Sequence, residues 1–109
     1  MKAGAQALKG HLDTLLLASL ASGPRHGYAV KEALRAGSGA RFDLPTGTIY
    51  PALRRLEAAG LVQGSWSQAG GRCRRTYELT PAGRQRLGRD RAAWRDFAAA
   101  VSAILEPAL

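Results

Sequence analysis

With 109 residues the chain is expected to form one domain with a modest core, small enough that association with a second copy would help stabilise it. Sixteen Lys and Arg against eight Asp and Glu leave a net charge of +8, which favours a polyanion as partner, nucleic acid ahead of an anionic membrane surface. Cys73 is the single cysteine, which excludes an internal disulfide and a cysteine-rich metal site and fits a reducing cytosol.

Leu8, Leu12, Leu15, Leu16 and Leu20 recur at helical spacing and predict a first helix over about 7–22. Leu17 falls off that stripe and is expected to face a partner chain. Ser22-Gly23-Pro24 stops the helix, because Pro cannot continue it. A second helix over about 26–36 has Tyr28, Val30 and Leu34 as apolar positions and closes at Gly37-Ser38-Gly39. Phe42 and Leu44 form a short apolar patch before Pro45.

The third helix runs over about 47–59, with Ile49, Leu53 and Leu56 on one face and Gly60 as its stop. Thr46 and Thr48 are both candidate N-caps. If Thr48 caps, Pro51 is the third helical residue, where no backbone N–H is needed; if Thr46 caps, Pro51 falls in the second turn and bends it. Pro51, Arg54 and Ala58 point away from the apolar face, with Tyr50 and Arg55 flanking.

Leu61–Ser67 and Arg72–Leu79 read as strands of a hairpin joined by Gln68-Ala69-Gly70-Gly71. Cys73, Tyr77 and Leu79 alternate with Arg74, Thr76 and Glu78, and Leu61, Val62 and Trp66 supply apolar partners from the first strand. Thr80-Pro81 then opens a last helix that continues to about Glu106, a length of roughly 40 Å at 1.5 Å per residue. Its apolar residues follow a seven-residue repeat: Leu87, Trp94 and Val101 in one column, Phe97 and Ile104 in the other, with Asp90 the polar exception. A helix this long cannot bury such a stripe on so small a body, so it is expected to pair with another chain.

Three helices, a hairpin and a long helix predict a mainly α chain with a small β-hairpin: a winged helix-turn-helix over residues 1–79, then a dimerisation helix over 80–109. The third helix would enter a major groove of double-stranded DNA and the hairpin would be the wing. Thr48, Tyr50, Pro51 and Arg54 are the candidates nearest the bases, with Thr46 a further DNA-binding candidate; Arg55, Arg72, Arg74 and Arg75 are candidate phosphate contacts, with Lys31 or His26 as outer candidates. Arg suits both tasks because its planar fork matches phosphate and guanine. Each residue also has a plainer role. Arg54 and Arg55 could pair with Glu57 and Glu32 on a solvated face, Tyr50 could pack beside Leu44 or Tyr28, and His11 and His26 read as capping or surface residues.

The segments LDTLLLASL, GPRHGYAVKEAL, TGTIYPALRRLEAAGLV and GRCRRTYELTPAGRQRL, over about residues 12–87, resemble the PadR family of bacterial transcriptional regulators in order and spacing. The resemblance implies a homodimer joined through the first and last helices, repression at a palindromic operator, and Tyr50 near the DNA. It also implies that some short relatives hold flat aromatic or hydrophobic effectors in the dimer seam, which in this chain would involve Leu17, Leu87, Trp94, Phe97 and Val101; Trp94 could equally just fill that seam. Where relatives commonly carry Lys-Tyr in the second strand, this chain has Arg75-Thr76-Tyr77, so no contact is carried over to Thr76.

A nonspecific nucleic-acid or chromatin-binding winged helix would share the charge and the wing, and a protein-binding winged helix could use the basic face on an acidic partner. No spacing suggests a nucleophile elbow, a phosphate loop or a metal cluster, so neither enzyme, cofactor nor metal is expected. The longest purely apolar run, Leu15 to Ala18, is far below the roughly 18 residues of a membrane span, and the first residues lack the order of a signal peptide. A cytoplasmic protein without a membrane partner is expected.

Overall fold

The computed structural model describes Leu8 and residues 10–108. The first helix was expected to include Ala7 and Lys9, which lie outside the described residues. The elements in chain order are α1 (Leu12–Ser19), β1 (Arg25–His26), α2 (Gly27–Gly37), α3 (Thr46–Ala58), β2 (Val62–Ala69), β3 (Arg72–Leu79) and α4 (Pro81–Leu105).

Helix α1 is shorter than the leucine spacing suggests. It ends at Ser19, before Ser22-Gly23-Pro24, and Leu8 reaches the core from ahead of it. The helix packs against α2, α3 and α4, so apolar residues over most of its circumference are covered. This corrects the reading of Leu17: with 0% exposure it belongs to the protomer's own core, beside Leu16 and Leu20, and has no surface left for a partner chain.

Helix α3 starts at Thr46 with Pro45 as its N-cap, and no side chain caps it. Neither threonine takes that role, because Pro45 already has extended backbone angles and its carbonyl accepts from Thr48 N (2.9 Å) and Ile49 N (3.2 Å). Pro51 therefore falls in the second turn, where the helix continues through it without the hydrogen bond a backbone N–H would supply. Ile49, Ala52, Leu53 and Leu56 form its buried face. Gly60, at φ 77°, ends the helix with paired bonds from Gly60 N to Glu57 O and from Leu61 N to Leu56 O, a Schellman turn that sends the chain straight into the wing.

The expected hairpin is present as β2 and β3, and the short strand β1 joins its β3 edge to give an antiparallel sheet of order β1-β3-β2. The added strand is two residues after Pro24, too short to leave a periodic pattern; Arg25 pairs with Tyr77 and His26 with Thr76. The β2–β3 turn is tighter than expected. Gly70 and Gly71, at φ 59° and 76°, form the whole loop, a two-residue turn that needs left-handed backbone at both positions.

Helix α4 begins as expected. Thr80 Oγ1 accepts from Gly83 N (3.0 Å) and donates to Gly60 O (2.7 Å), fastening the helix start to the end of α3. Gly83 is buried because α4 crosses directly over the Leu61 carbonyl; a Cβ there would lie 1.9 Å from that oxygen. Leu87, also assigned to the seam from its heptad position, is only 3% exposed and closes the protomer core. Beyond it the helix leaves the body. The radius of gyration is 15.4 Å and the longest dimension 59 Å, whereas a compact domain of this length would have a radius of about 13 Å.

Candidate nucleic-acid interface

Helix α3 and the wing enclose an open groove of about 850 Å³, lined among others by Tyr28, Tyr50, Arg54, Glu57, Trp66, Arg72, Arg74 and Arg75. Its walls come from backbone decisions made elsewhere. Gly27 opens α2 with no side chain because the Tyr50 ring sits there; a Cβ on Gly27 would lie 2.2 Å from Tyr50 Cε1. Tyr50 thus packs over Gly27, rather than merely beside Leu44 or Tyr28, and its ring is held at the mouth of the groove.

His26 caps α2, its Nδ1 accepting from Ala29 N at 3.2 Å. In the neutral ring Nε2 then carries the proton. Its 3.2 Å approach to the Arg74 guanidinium accordingly supplies no acceptor. Arg54 and Arg72 are exposed, and among the described residues Arg54, Arg72 and Arg74 have no carboxylate partner. The one carboxylate lining the groove among the described residues, Glu57, is taken by Arg75, so these three guanidinium groups repel one another in the free protein, and a polyanion relieves that repulsion.

The other basic candidates are engaged. Arg55 pairs with Asp13 of α1, not with Glu57 or Glu32. Arg75 pairs with Glu57 at 2.6 Å. Lys31 pairs with Asp43 at 3.2 Å and lies 4.0 Å from Glu32, outside the groove lining. Thr46 and Pro51 are exposed and Thr48 is half-buried on the first turns of α3. Sequence reasoning missed Trp66 and Glu57 as groove residues, the first read as an apolar strand partner and the second as a surface counter-charge. Strand parity was the available signal: Trp66 stands opposite Arg75 in the register, on the face that also carries Tyr77.

A second surface lies on the free half of α4. Trp94 is 52% exposed, Phe97 57% and Ile104 80%, along a stripe that also includes Val101 and Leu105. The Trp94 and Phe97 rings lie 5.9 Å apart, and Trp94 meets the His11 ring edge-on at 5.5 Å. Large apolar groups left open in a row mark an interaction surface. Asp90 interrupts the stripe because its carboxylate is used inside the protomer, accepting from Thr14 Oγ1 (2.8 Å) and Arg86 Nε (3.1 Å). Among the described residues no group of metal-binding side chains occurs, and no helix is long and apolar enough to cross a membrane.

Three core helices, a winged sheet and an unpaired basic groove between them define a winged helix-turn-helix protein. The chain belongs to the PadR-like family of transcriptional regulators, whose pattern matches residues 16–89. It is 42% identical over 74 residues to the transcriptional regulator Rv3488 of Mycobacterium tuberculosis, a match that covers 68% of this chain and 56% of that protein. A second curated relative, 47% identical over 76 residues, is matched over 21% of its length, so the chain spans about half or less of these relatives. The crystal structure of a PadR family transcriptional regulator from Eggerthella lenta superposes with a TM-score of 0.79 at 31% identity, over 94% of this chain and 88% of that one. Bacillus subtilis PadR in complex with operator DNA superposes with a TM-score of 0.65 at 25% identity, over 72% of this chain and 45% of that one.

Proposed function

We propose that the chain is a homodimeric, sequence-specific DNA-binding repressor that a flat aromatic or hydrophobic effector releases from a palindromic operator. The observation that carries this reading is the groove between α3 and the wing, in which Arg54, Arg72 and Arg74 have no carboxylate partner among the described residues. The operator complex of Bacillus subtilis PadR supports a duplex as the occupant. Thr46, Thr48, Tyr50 and Pro51 on the first two turns of α3, and Arg54 on the third, reach base edges. Arg72 and Arg74, both on β3 just after the wing turn, neutralise phosphates. Arg55, already bound to Asp13, and Lys31, already bound to Asp43, are left as outer contacts with the backbone.

The exposed stripe of α4 supports the second copy. Pairing Trp94, Phe97, Val101 and Ile104 across a two-fold axis removes from water the apolar groups that the protomer leaves open. The same pairing gives two recognition helices for two half-sites, about 34–36 Å apart on the duplex. Trp94 and Phe97 supply the ring faces that a flat effector would stack on, and an effector favouring another crossing of the two α4 helices would misalign the recognition helices.

Selection from random duplexes tests the central claim. A recovered palindrome with half-sites one turn apart is expected, together with sedimentation at the mass of two protomers. A monomer that enriches no sequence overturns it, and leaves a nonspecific nucleic-acid-binding winged helix in its place. Quenching of Trp94 emission by flat aromatic compounds tests the effector site, and unchanged emission at saturation removes it.

A further inference from the structure

We propose that Glu57 and Arg75 form a positioning pair that fixes the wing against α3, and that this spacing sets how well the protein tells its operator from other duplexes. The inference rests on the DNA-binding reading above. It reassigns Arg75, which sequence alone groups with the phosphate contacts.

The strand register places Arg75 opposite Trp66, on the same side of β3 as the buried Tyr77 and therefore toward α3. There its guanidinium donates to Glu57 Oε2 at 2.6 Å. The same oxygen accepts from Gly64 N at 3.1 Å. One carboxylate from the last turn of α3 thus holds both long strands of the wing. Arg75 also lies with its guanidinium carbon 5.4 Å from the centre of the Trp66 ring, so an indole covers one of its faces. The pair is mostly enclosed, with side-chain exposures of 30% for Arg75 and 28% for Glu57. Gly64 is the bare stretch of strand that admits it: a Cβ there would lie 2.8 Å from Arg75 Nε and 2.9 Å from Glu57 Oε2.

A guanidinium already bound to a carboxylate and held at cation–π distance from an indole has little left to offer a phosphate. Its effect is on geometry instead. Glu57 lies one turn beyond Arg54 on α3, so the pair sits next to a side chain assigned to the bases. On an operator the helix and the wing must dock together, and the second contact is intramolecular, favoured only while the linkage holds the right separation. A loosened wing can still find phosphates on any duplex, but no longer the ones that accompany the correct base contacts.

The test measures Arg75→Ala, Glu57→Gln and the double variant on the operator selected by the wild type and on a scrambled duplex, across a range of salt. Each single variant is expected to lose about tenfold on the operator, with the double variant no weaker than either, as for two members of one unit. The slope of log affinity against log salt should be unchanged. A phosphate ligand predicts the opposite: Arg75→Ala would lower the slope by about 0.9 and weaken both duplexes alike. Glu57→Gln, by removing a negative charge near the duplex, would then tighten binding, and that pair of results overturns the proposal. In the free protein the Gly64 amide, which donates to Glu57 Oε2 at 3.1 Å, should exchange with deuterium faster when Glu57→Gln is made; an unchanged exchange rate also overturns it. A wild type that selects no duplex instead overturns the DNA-binding reading, and the exchange of the Gly64 amide still judges the pair.

Discussion

Gly83→Ala should destabilise the fold, although alanine is the better helix former. The added Cβ would sit 1.9 Å from Leu61 O and 3.0 Å from Leu61 C, both backbone atoms that no rotamer change can move. Restoring an ordinary contact requires α4 to lift by about 1.5 Å, an overpacking displacement that costs about 1–3 kcal/mol. The lift also strains the bonds from Thr80 N to Leu61 O (3.2 Å) and from Thr80 Oγ1 to Gly60 O (2.7 Å). Losing both adds about 2 kcal/mol. Alanine returns about 1 kcal/mol of helix propensity, leaving a net loss of about 2–4 kcal/mol. Gly88 lies on the same helix with open space around its α-carbon, so Gly88→Ala isolates the propensity gain. Urea unfolding followed by circular dichroism, at fixed protomer concentration because the proposed self-association would contribute, should give Gly83→Ala below the wild type and Gly88→Ala above it. A Gly83→Ala midpoint at or above that of the wild type refutes the reasoning.

Gly27→Ala should dislodge the Tyr50 ring, weakening operator binding about tenfold in fluorescence anisotropy while stability falls by less than about 1 kcal/mol. Unaltered affinity would remove Tyr50 from the interface. Arg54→Ala should cost about 1–3 kcal/mol on the operator and much less on a scrambled duplex; equal losses on the two would make Arg54 a backbone contact. Arg74→Ala should weaken all duplexes alike and lower the salt slope by about 0.9, and an undiminished slope would exclude a phosphate contact. Phe97→Asp places a charge in the middle of the exposed stripe of α4, and sedimentation should then find a single protomer; a persistent dimer would move the interface elsewhere.

The parts of the fold that were legible in the sequence are those where one local rule decides. Thr80-Pro81 supplies a cap and a first helical residue in sequence, and the spacing of Ile49, Leu53 and Leu56 puts them on one face of a helix. The misreadings came where tertiary contact overrides a local rule. Leu17 and Leu87 look surplus on helices considered singly, and become core once α1 is surrounded on three sides and α4 crosses it. The two threonines before Ile49 look like caps, but Pro45 already presents its carbonyl at the right angle. Strand β1 exists only because β3 offers an open edge to two residues after Pro24. For the groove, residue types were readable and pairings were not. Arg54, Arg55, Arg74 and Arg75 are chemically identical in sequence, and what separates them is whether Asp13 or Glu57 lies within reach.

Helix α1 contributes nothing to the groove, yet the position of the recognition helix depends on it. Three residues at its start reach out to two neighbouring helices. Asp13 takes Arg55 of α3, Thr14 donates to Asp90 of α4, and His11, at the N-cap, meets Trp94 one turn further along α4. Beneath them Leu16, Leu17 and Leu20 are wholly buried, so α1 has little freedom to tilt. It is therefore a bracket between the helix proposed to read the operator and the helix proposed to pair the protomers. In such a dimer the distance between the two copies of α3 is set by how the α4 helices cross and by this bracket, while the wing only follows α3 through Glu57. The half-site spacing of the operator, about 34–36 Å or a multiple of it, is on this view a property of α1 and α4, and the base preference a property of α3. The two can be altered separately by substitutions on different elements of one small chain.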